Sequence, residues 1–558
     1  MRKAFLRIIS SSLAVMILLS LFAGCSQKEE PAPAADAAPA SSQAQPAAAA
    51  EEKAESGKIT DKPITLTYWY DMPADKVAPI FKNMSEMEMY KELEKRTGIK
   101  IEFQHPPAGQ ANDQFNLMIA SRDLPDIIER NFGNAGVGGY PGGAEKAIQD
   151  GVIVKLNDLL EKNAPNLTKF YAENKEAEKQ SKTDNGSFYN FPFVRGDEAI
   201  KVFYGPQIRK DWLDELGLQV PETIDEWYQV LTAIKDKKKI DYPLSFKQNS
   251  SKGNNDIGIG NSFIGAFGVA YEWYVEDGKV KYGAVESGYK DFLATFSKWY
   301  AEKLIDPDFP VQDDKTWRAK IAGGKAAAFM SYAGGGMGYF YDLLLKDNPG
   351  FKLAGVPYPS LKKGEKAKFG QRDFTVPYAC VSITTANKYP VESTKWLDYG
   401  YGPEGHMLYN FGIEGVSYKM ENGYPKYTDI VTKNPEGKSM SLAMSNFMRS
   451  HYNGPFIQDK RYFEQFMKYP DQVAAVGEWS KAGYESNWPA LTPTPEESEK
   501  IASIMTEVKV YQDEMFTKFI MGQEPIDKFD QYVDRLNQMG LKDAIVIYQT
   551  AFERYLKR

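Results

Sequence analysis

Between Ile64 and Glu129 the spacing of apolar residues switches repeatedly between two periods, and that alternation constrains the fold more than any other feature. Ile64-Thr65-Leu66-Thr67-Tyr68-Trp69-Tyr70 alternates with period two and is rich in β-branched and aromatic residues, which predicts a strand. Met87, Tyr90 and Leu93 then share one helical face behind the capping box Ser85-Glu86-Met87-Glu88, and Gly98 closes that helix. Ile99–Phe103 reads as a second strand. Phe115, Met118 and Ile119 mark a second helix ended by Pro125, and Asp126–Glu129 reads as a third strand. A β-α-β-α-β order implies a parallel sheet with right-handed crossovers. Ligands of such sheets bind beyond the carboxyl ends of the strands. Those ends carry Trp69-Tyr70-Asp71, Gln104-His105 and Glu129-Arg130-Asn131.

A second α/β run opens at Lys201-Val202-Phe203-Tyr204. Helices follow at Lys210–Leu216, stopped by Gly217, and at Ile224–Lys235, capped by Thr223 and Glu226. Asp184-Asn185-Gly186-Ser187 and Glu276-Asp277-Gly278-Lys279 are hairpin turn signals. Ile501, Ile504, Val508, Tyr511, Met515 and Phe519 stand at helical spacing, as do Ile526, Phe529, Val533 and Leu536. A chain of 558 residues, 42% hydrophobic, buries a sizeable core without disulfides or metals.

The N-terminus reads as an export signal. Arg2, Lys3 and Arg7 precede an uncharged run from Ile8 to Phe22, which is short of the ~20 apolar residues of a membrane span. Ala23-Gly24-Cys25 resembles the bacterial lipobox, with Phe22 where an aliphatic residue is usual, so Cys25 is expected to carry a lipid. Residues 1–25 are then the signal peptide, and the body sits on the extracellular face of the cell membrane. Residues 26–60, rich in Ala, Pro, Glu, Ser and Gln, lack the apolar side chains that offset ordering entropy and read as a disordered tether. Cys380, the other cysteine, lies in Tyr378–Ile383, which reads as a buried strand where a small core residue is expected.

Composition and motifs exclude several chemistries. A formal net charge of −7 without a long Lys/Arg run argues against nucleic-acid binding. The 3 histidines, His105, His406 and His451, are far apart and lack metal-site spacing. The chain has no P-loop, G-x-S-x-G, H-E-x-x-H or EF-hand pattern. No catalytic residue, cofactor or metal ligand is therefore assigned, although scattered carboxylates leave a calcium site open. A glycoside hydrolase remains the alternative, because paired carboxylates meet in space rather than in sequence.

Phrases along most of the chain resemble the family 1 extracellular solute-binding proteins of bacterial ABC importers, in particular the LplA-like lipoprotein branch. They are Ile64–Asp71, Tyr90–Phe103, Ile119–Glu129, Ile148–Leu160, Tyr189–Phe193, Ile208–Trp227, Gly324–Phe329 and Phe411–Tyr418. The resemblance implies an α/β fold of the type II periplasmic-binding-protein kind, with two lobes and a hinge of several chain crossings. It places lobe I at 61–191 and 371–418, and lobe II at 192–370 and 419–558. It further implies a monomeric receptor that delivers a carbohydrate, commonly an oligosaccharide, to an ABC permease, with peptides or other polar solutes as the alternative ligands.

Sugars offer apolar CH faces ringed by hydroxyls, so aromatic plates beside Asp, Asn, Glu and Arg are the side chains sought. Trp69, Asp71, Arg130 and Asn131 are candidates at the first strand ends. Tyr332, before Gly334-Gly335-Gly336, is a candidate platform in the second lobe, with Asn261 and Trp273. Asp373 and Glu414 are candidates facing the hinge from lobe I. Arg130 and Arg195 are the cations that would meet a uronate if the sugar were acidic.

Overall fold

The computed structural model describes residues 58–133, 139–249 and 254–558. The signal peptide, Cys25 and most of the tether lie outside the described residues. Two principal sheets are built from nine strands: β1 (Ile64–Tyr70), β2 (Ile99–Gln104), β3 (Ile127–Glu129), β4 (Phe191–Arg195), β5 (Tyr204–Arg209), β6 (Ala328–Tyr332), β7 (Leu353–Gly355), β8 (Tyr378–Ile383) and β9 (Ile457–Gln458).

The first sheet runs β9-β4-β8-β3-β1-β2. As the alternation requires, β1 pairs in parallel with β2 and with β3, so the carboxyl ends of all three share one edge. Strand β8, from much later in the chain, is inserted antiparallel between β3 and β4. The second sheet, β6-β5-β7, is antiparallel. Gly205 in β5 is a close-approach position: a Cβ there would stand 2.5 Å from the Trp479 ring nitrogen, which donates to the Pro206 carbonyl at 3.1 Å.

Each sheet has its own core. Leu66, Tyr68, Leu93, Ile101, Phe191 and Trp396 gather around the first. Tyr204, Ile208, Trp227, Phe263, Phe296 and Phe516 gather around the second. The fold is therefore mixed α/β with two lobes. Three segments join them: 196–203, 371–377 and the stretch after Gln458. They are laced together by bonds from Arg195 N to Thr375 O (2.8 Å), Asp373 N to Lys201 O (2.9 Å) and Gly196 N to Gln458 O (3.2 Å).

The last crossing falls later than the border at Tyr418 that the resemblance implies. Tyr418, Tyr427, Met444 and Phe447 pack with Phe411 beside the first core, Tyr452 and Phe456 lie inside it, and β9 pairs with β4. The physical reason is that β9 completes the edge of the first sheet before the chain departs.

Local signals hold with two shifts. The helix Ile224–Lys238 is capped by the Thr223–Glu226 box, and Gly217 ends Lys210–Leu216 at φ 68°. The first-lobe capping box is instead Asn83 with Glu86, because the amide side chain of Asn83 accepts from the Ser85 N–H and a 3₁₀ turn precedes the helix Glu88–Thr97. The helix Ala111–Ser121 ends at Arg122 in the left-handed region rather than at Pro125.

The C-terminal helices Pro495–Ile520 and Leu541–Lys557 pack on the second lobe and also reach the first. Buried Asp184 accepts from Arg554 (2.8 Å) and Thr492 (3.1 Å) and pairs with Arg558 (3.1 Å). Among the described residues no helix is long and apolar enough to cross a membrane.

Candidate ligand-binding cleft

The parallel strands deliver polar groups to the edge that faces the second lobe. Arg130, just past β3, lies with its guanidinium 4.2 Å from the Phe115 ring centre and 5.8 Å from that of Trp69, and donates to Asn112 at 2.6 Å. Burial lowers its pKa while Asp71, just past β1, opposes that shift. Asp71 is exposed, yet desolvation raises its pKa against Arg130 and His105. Asn131 turns its side chain back to accept from the Gly133 N–H at 3.0 Å.

Behind this edge lies a buried pair. Arg449 donates to Glu129 at 2.6 and 3.0 Å and to the Tyr90 hydroxyl at 3.0 Å, while the Tyr68 hydroxyl donates to Glu129 at 2.8 Å. The guanidinium also covers the Tyr70 ring at 5.0 Å, so the pair fixes the end of β1 against the end of β3.

In the second lobe, Tyr332 ends β6 with 47% of its surface exposed. It stacks on Phe203 (ring centres 6.0 Å, 10° between planes) and meets Tyr204 edge-on at 5.0 Å. Its hydroxyl pKa is raised first by desolvation, then by the carboxylates of Asp256, Asp373, Asp75 and Asp314. Asp75 belongs to the first lobe, Asp373 to the hinge, and Asp256 and Asp314 to the second lobe. Through Phe203, whose ring the Arg195 guanidinium also approaches at 4.8 Å, Tyr332 stands beside the hinge.

The hinge side is closed by Arg195, which donates to Asp373 at 2.8 and 2.9 Å and to Gln458 at 2.6 Å, and lies 4.8 Å from the Phe203 ring centre. Burial raises the Asp373 pKa against the pull of Arg195. Lys76 donates to the His451 carbonyl at 3.0 Å; burial lowers its pKa, Asp75 opposes this, and Arg195 adds to it.

The structure brings Asp71, Arg130 and Asn131 to the carboxyl edge of β1 and β3, and sets Tyr332 at the end of β6 against Phe203, with Asp373 in the hinge segment 371–377. Trp69 is 5% exposed and packs with Phe115, Ile128 and Phe132 beneath that edge. Trp273 lies elsewhere, in a ring cluster with Tyr282, Trp488 and Tyr548 under the C-terminal helix. Asn261 takes a left-handed backbone at φ 55° and accepts from the Tyr271 N–H at 2.8 Å, which is a turn-forming role. Glu414 is exposed in the turn before the hairpin Tyr418–Tyr427. Phe203, Lys76 and Asp256 were not among the candidates found from the sequence. Phe203 alone had a local signal, its place beside the first hinge crossing.

Two sheets, each with its own core, joined by three crossings around a cleft, is the architecture of a binding protein. The sequence model for bacterial extracellular solute-binding protein matches residues 78–407, more than half of the chain. The chain belongs to that family. This solute-binding protein is 26% identical to the fructooligosaccharide ABC transporter substrate-binding protein FusA of Streptococcus pneumoniae, over 85% of this chain and 88% of that one. It is 25% identical to lipoprotein LipO of Bacillus subtilis, over 83% and 88% of the two chains. Among solved structures it matches the alginate-binding protein AlgQ2 without calcium ion, with a TM-score of 0.73 and 26% identity, covering 90% of this chain and 100% of that one. Among the described residues no cluster of His, Cys, Asp and Glu is arranged to hold a metal.

Proposed function

We propose that this solute-binding protein is a lipid-anchored extracellular receptor. It holds an oligosaccharide between its lobes and delivers it, chemically unchanged, to the permease of an ABC importer. The observation that carries the reading is Tyr332: a half-exposed ring at the end of β6, stacked on Phe203 next to the hinge residue Arg195. Such a plate covers the apolar face of a sugar ring, while Asp71 and Arg130 across the cleft offer an acceptor and a donor for hydroxyls. A few stacked rings and hydrogen bonds, each contributing about 0.5–1.5 kcal/mol, reach the ~8 kcal/mol of a micromolar complex. The sugar-binding relatives support the ligand class, and the export signal with Cys25 and the lipoprotein relative support the anchor.

The test is a calorimetric and thermal-shift screen of purified protein against oligosaccharides, with product analysis by mass spectrometry. Reversible saturable binding without cleavage is expected, with a smaller radius of gyration in solution scattering at saturation. Cleavage products, or ligands that are peptides instead of sugars, would overturn it.

A further inference from the structure

The chain after β6 runs as one helical stretch whose outward side is apolar. A π-helical turn, Ala333–Gly338, leads directly into the helix Tyr339–Leu344. Ala333, Gly336, Met337, Gly338, Phe340 and Tyr341 are buried, whereas Tyr332, Gly335, Tyr339 and Leu343 are exposed. Those exposed residues stand three and four positions apart, so they form a single stripe. The solvent face of a surface helix is ordinarily polar. This one carries two tyrosine rings, a glycine and a leucine, with Tyr339 41% and Leu343 46% exposed. Asp342, also exposed, is tied to Lys468 at 3.0 Å and accepts from the Tyr469 hydroxyl at 2.7 Å. Exposed apolar side chains scattered singly are ordinary, but a contiguous row that starts at the cleft plate Tyr332 marks a binding surface.

The glycines of the turn separate packing from function. A Cβ at Gly334 would stand 2.5 Å from the Phe466 ring, one at Gly338 would stand 2.5 Å from the Gln472 amide, and one at Gly336 would run into Ser331. Those three are glycine because neighbours fill the space. At Gly335 a Cβ would meet nothing within 4 Å, and its φ lies outside the left-handed region. Neither space nor backbone requires glycine there, and glycine weakens a helical turn relative to alanine. What the missing side chain provides at this exposed position is room for a bound molecule to approach the backbone.

Tyr339 is braced for such a molecule. The Arg318 guanidinium lies 4.4 Å from its ring centre and is itself fixed by bonds to Asp314 (2.5 Å) and to the Gly335 carbonyl (3.1 Å), while Phe340 meets the ring edge-on at 5.4 Å. The ring is therefore held and still exposed. Helical rise sets it roughly 10 Å along the stretch from Tyr332, further than one sugar ring reaches.

We propose that Tyr339 is a second sugar plate, and that Gly335 is the gap across which a saccharide passes from Tyr332 to reach it. The receptor then selects by length: only a chain that covers both plates gains the second stacking contact. This rests on the carbohydrate reading above and deepens it.

The experiment titrates purified protein by calorimetry with fructo-, xylo-, malto- and galacto-oligosaccharides, each as a length series from disaccharide to hexasaccharide, and follows whichever series is retained. Affinity is expected to rise by about threefold or more once the chain spans both plates, and then to level off. Tyr339→Ala is expected to erase that rise without weakening the shortest ligand that binds, and Tyr339→Phe to restore it; Tyr332→Ala weakens every length. Gly335→Leu is expected to lower the affinity for long members by about tenfold or more with no drop in the thermal midpoint, since leucine suits a helix and the space is open. An affinity independent of length, or long ligands bound as tightly by Tyr339→Ala and Gly335→Leu as by wild type, would overturn the inference and leave the carbohydrate reading standing; the stripe would then be a surface for a protein partner. A lower thermal midpoint in Gly335→Leu would make that glycine structural and overturn its assigned role. Binding of no oligosaccharide at all would overturn both readings.

Discussion

Replacing Arg449 by Met tests the buried pair that ties the ends of β1 and β3 together. The side chains of Arg449 and Glu129 are 1% and 3% exposed, so neither charge has water to fall back on. Removing the guanidinium leaves Glu129 with the Tyr68 hydroxyl as its donor and removes the partner of the Tyr90 hydroxyl. Stranding one member of a buried pair costs about 3–5 kcal/mol. Adding Glu129→Met removes the stranded charge and leaves two tyrosine hydroxyls without these partners, a cost of about 1–3 kcal/mol each at most. The double variant is therefore expected to unfold at a higher urea concentration than Arg449→Met alone.

Equilibrium urea unfolding of wild type, both single variants and the double variant measures this. The reasoning fails if the two single costs simply add in the double variant.

Other outcomes follow from particular side chains. Tyr332→Ala is expected to weaken sugar binding by about 1–2 kcal/mol, roughly five- to thirtyfold, with little change in the urea midpoint because the ring is half exposed; calorimetry against the retained sugar checks it. Burial, with Lys76 nearby, pushes the His451 pKa well below its ordinary value. The unfolded chain therefore takes up a proton first as pH falls below about 6.5, and stability drops there by at most about 1.4 kcal/mol per pH unit from this group. His451→Asn is expected to flatten that slope in thermal unfolding between neutral and mildly acidic pH, and an unchanged slope would count against it. Cys25→Ala is expected to release the protein from the membrane fraction into the medium; retention would show that a different segment anchors it.

The sequence determined the local code and the class of fold. Period-two and helical spacing placed β1, β2 and β3 and the helices between them, and their order alone required a parallel sheet with Asp71, Arg130 and Asn131 at its carboxyl edge. Such signals are legible because they depend on neighbours within one or two turns of chain. The antiparallel insertion of β8, the pairing of β9 with β4, and the late third crossing carried no local signal, since each depends on partners hundreds of residues away. The same divide runs through the site. Residue type made Trp69, Trp273 and Tyr332 all candidates for the cleft. Packing left the Tyr332 ring beside the cleft, sealed Trp69 beneath its edge, and sank Trp273 into a ring cluster. Charge is the clearest case: a count of Arg and Lys says nothing about which cations are spent, because an ion pair such as Arg195 with Asp373 exists only once the hinge has folded.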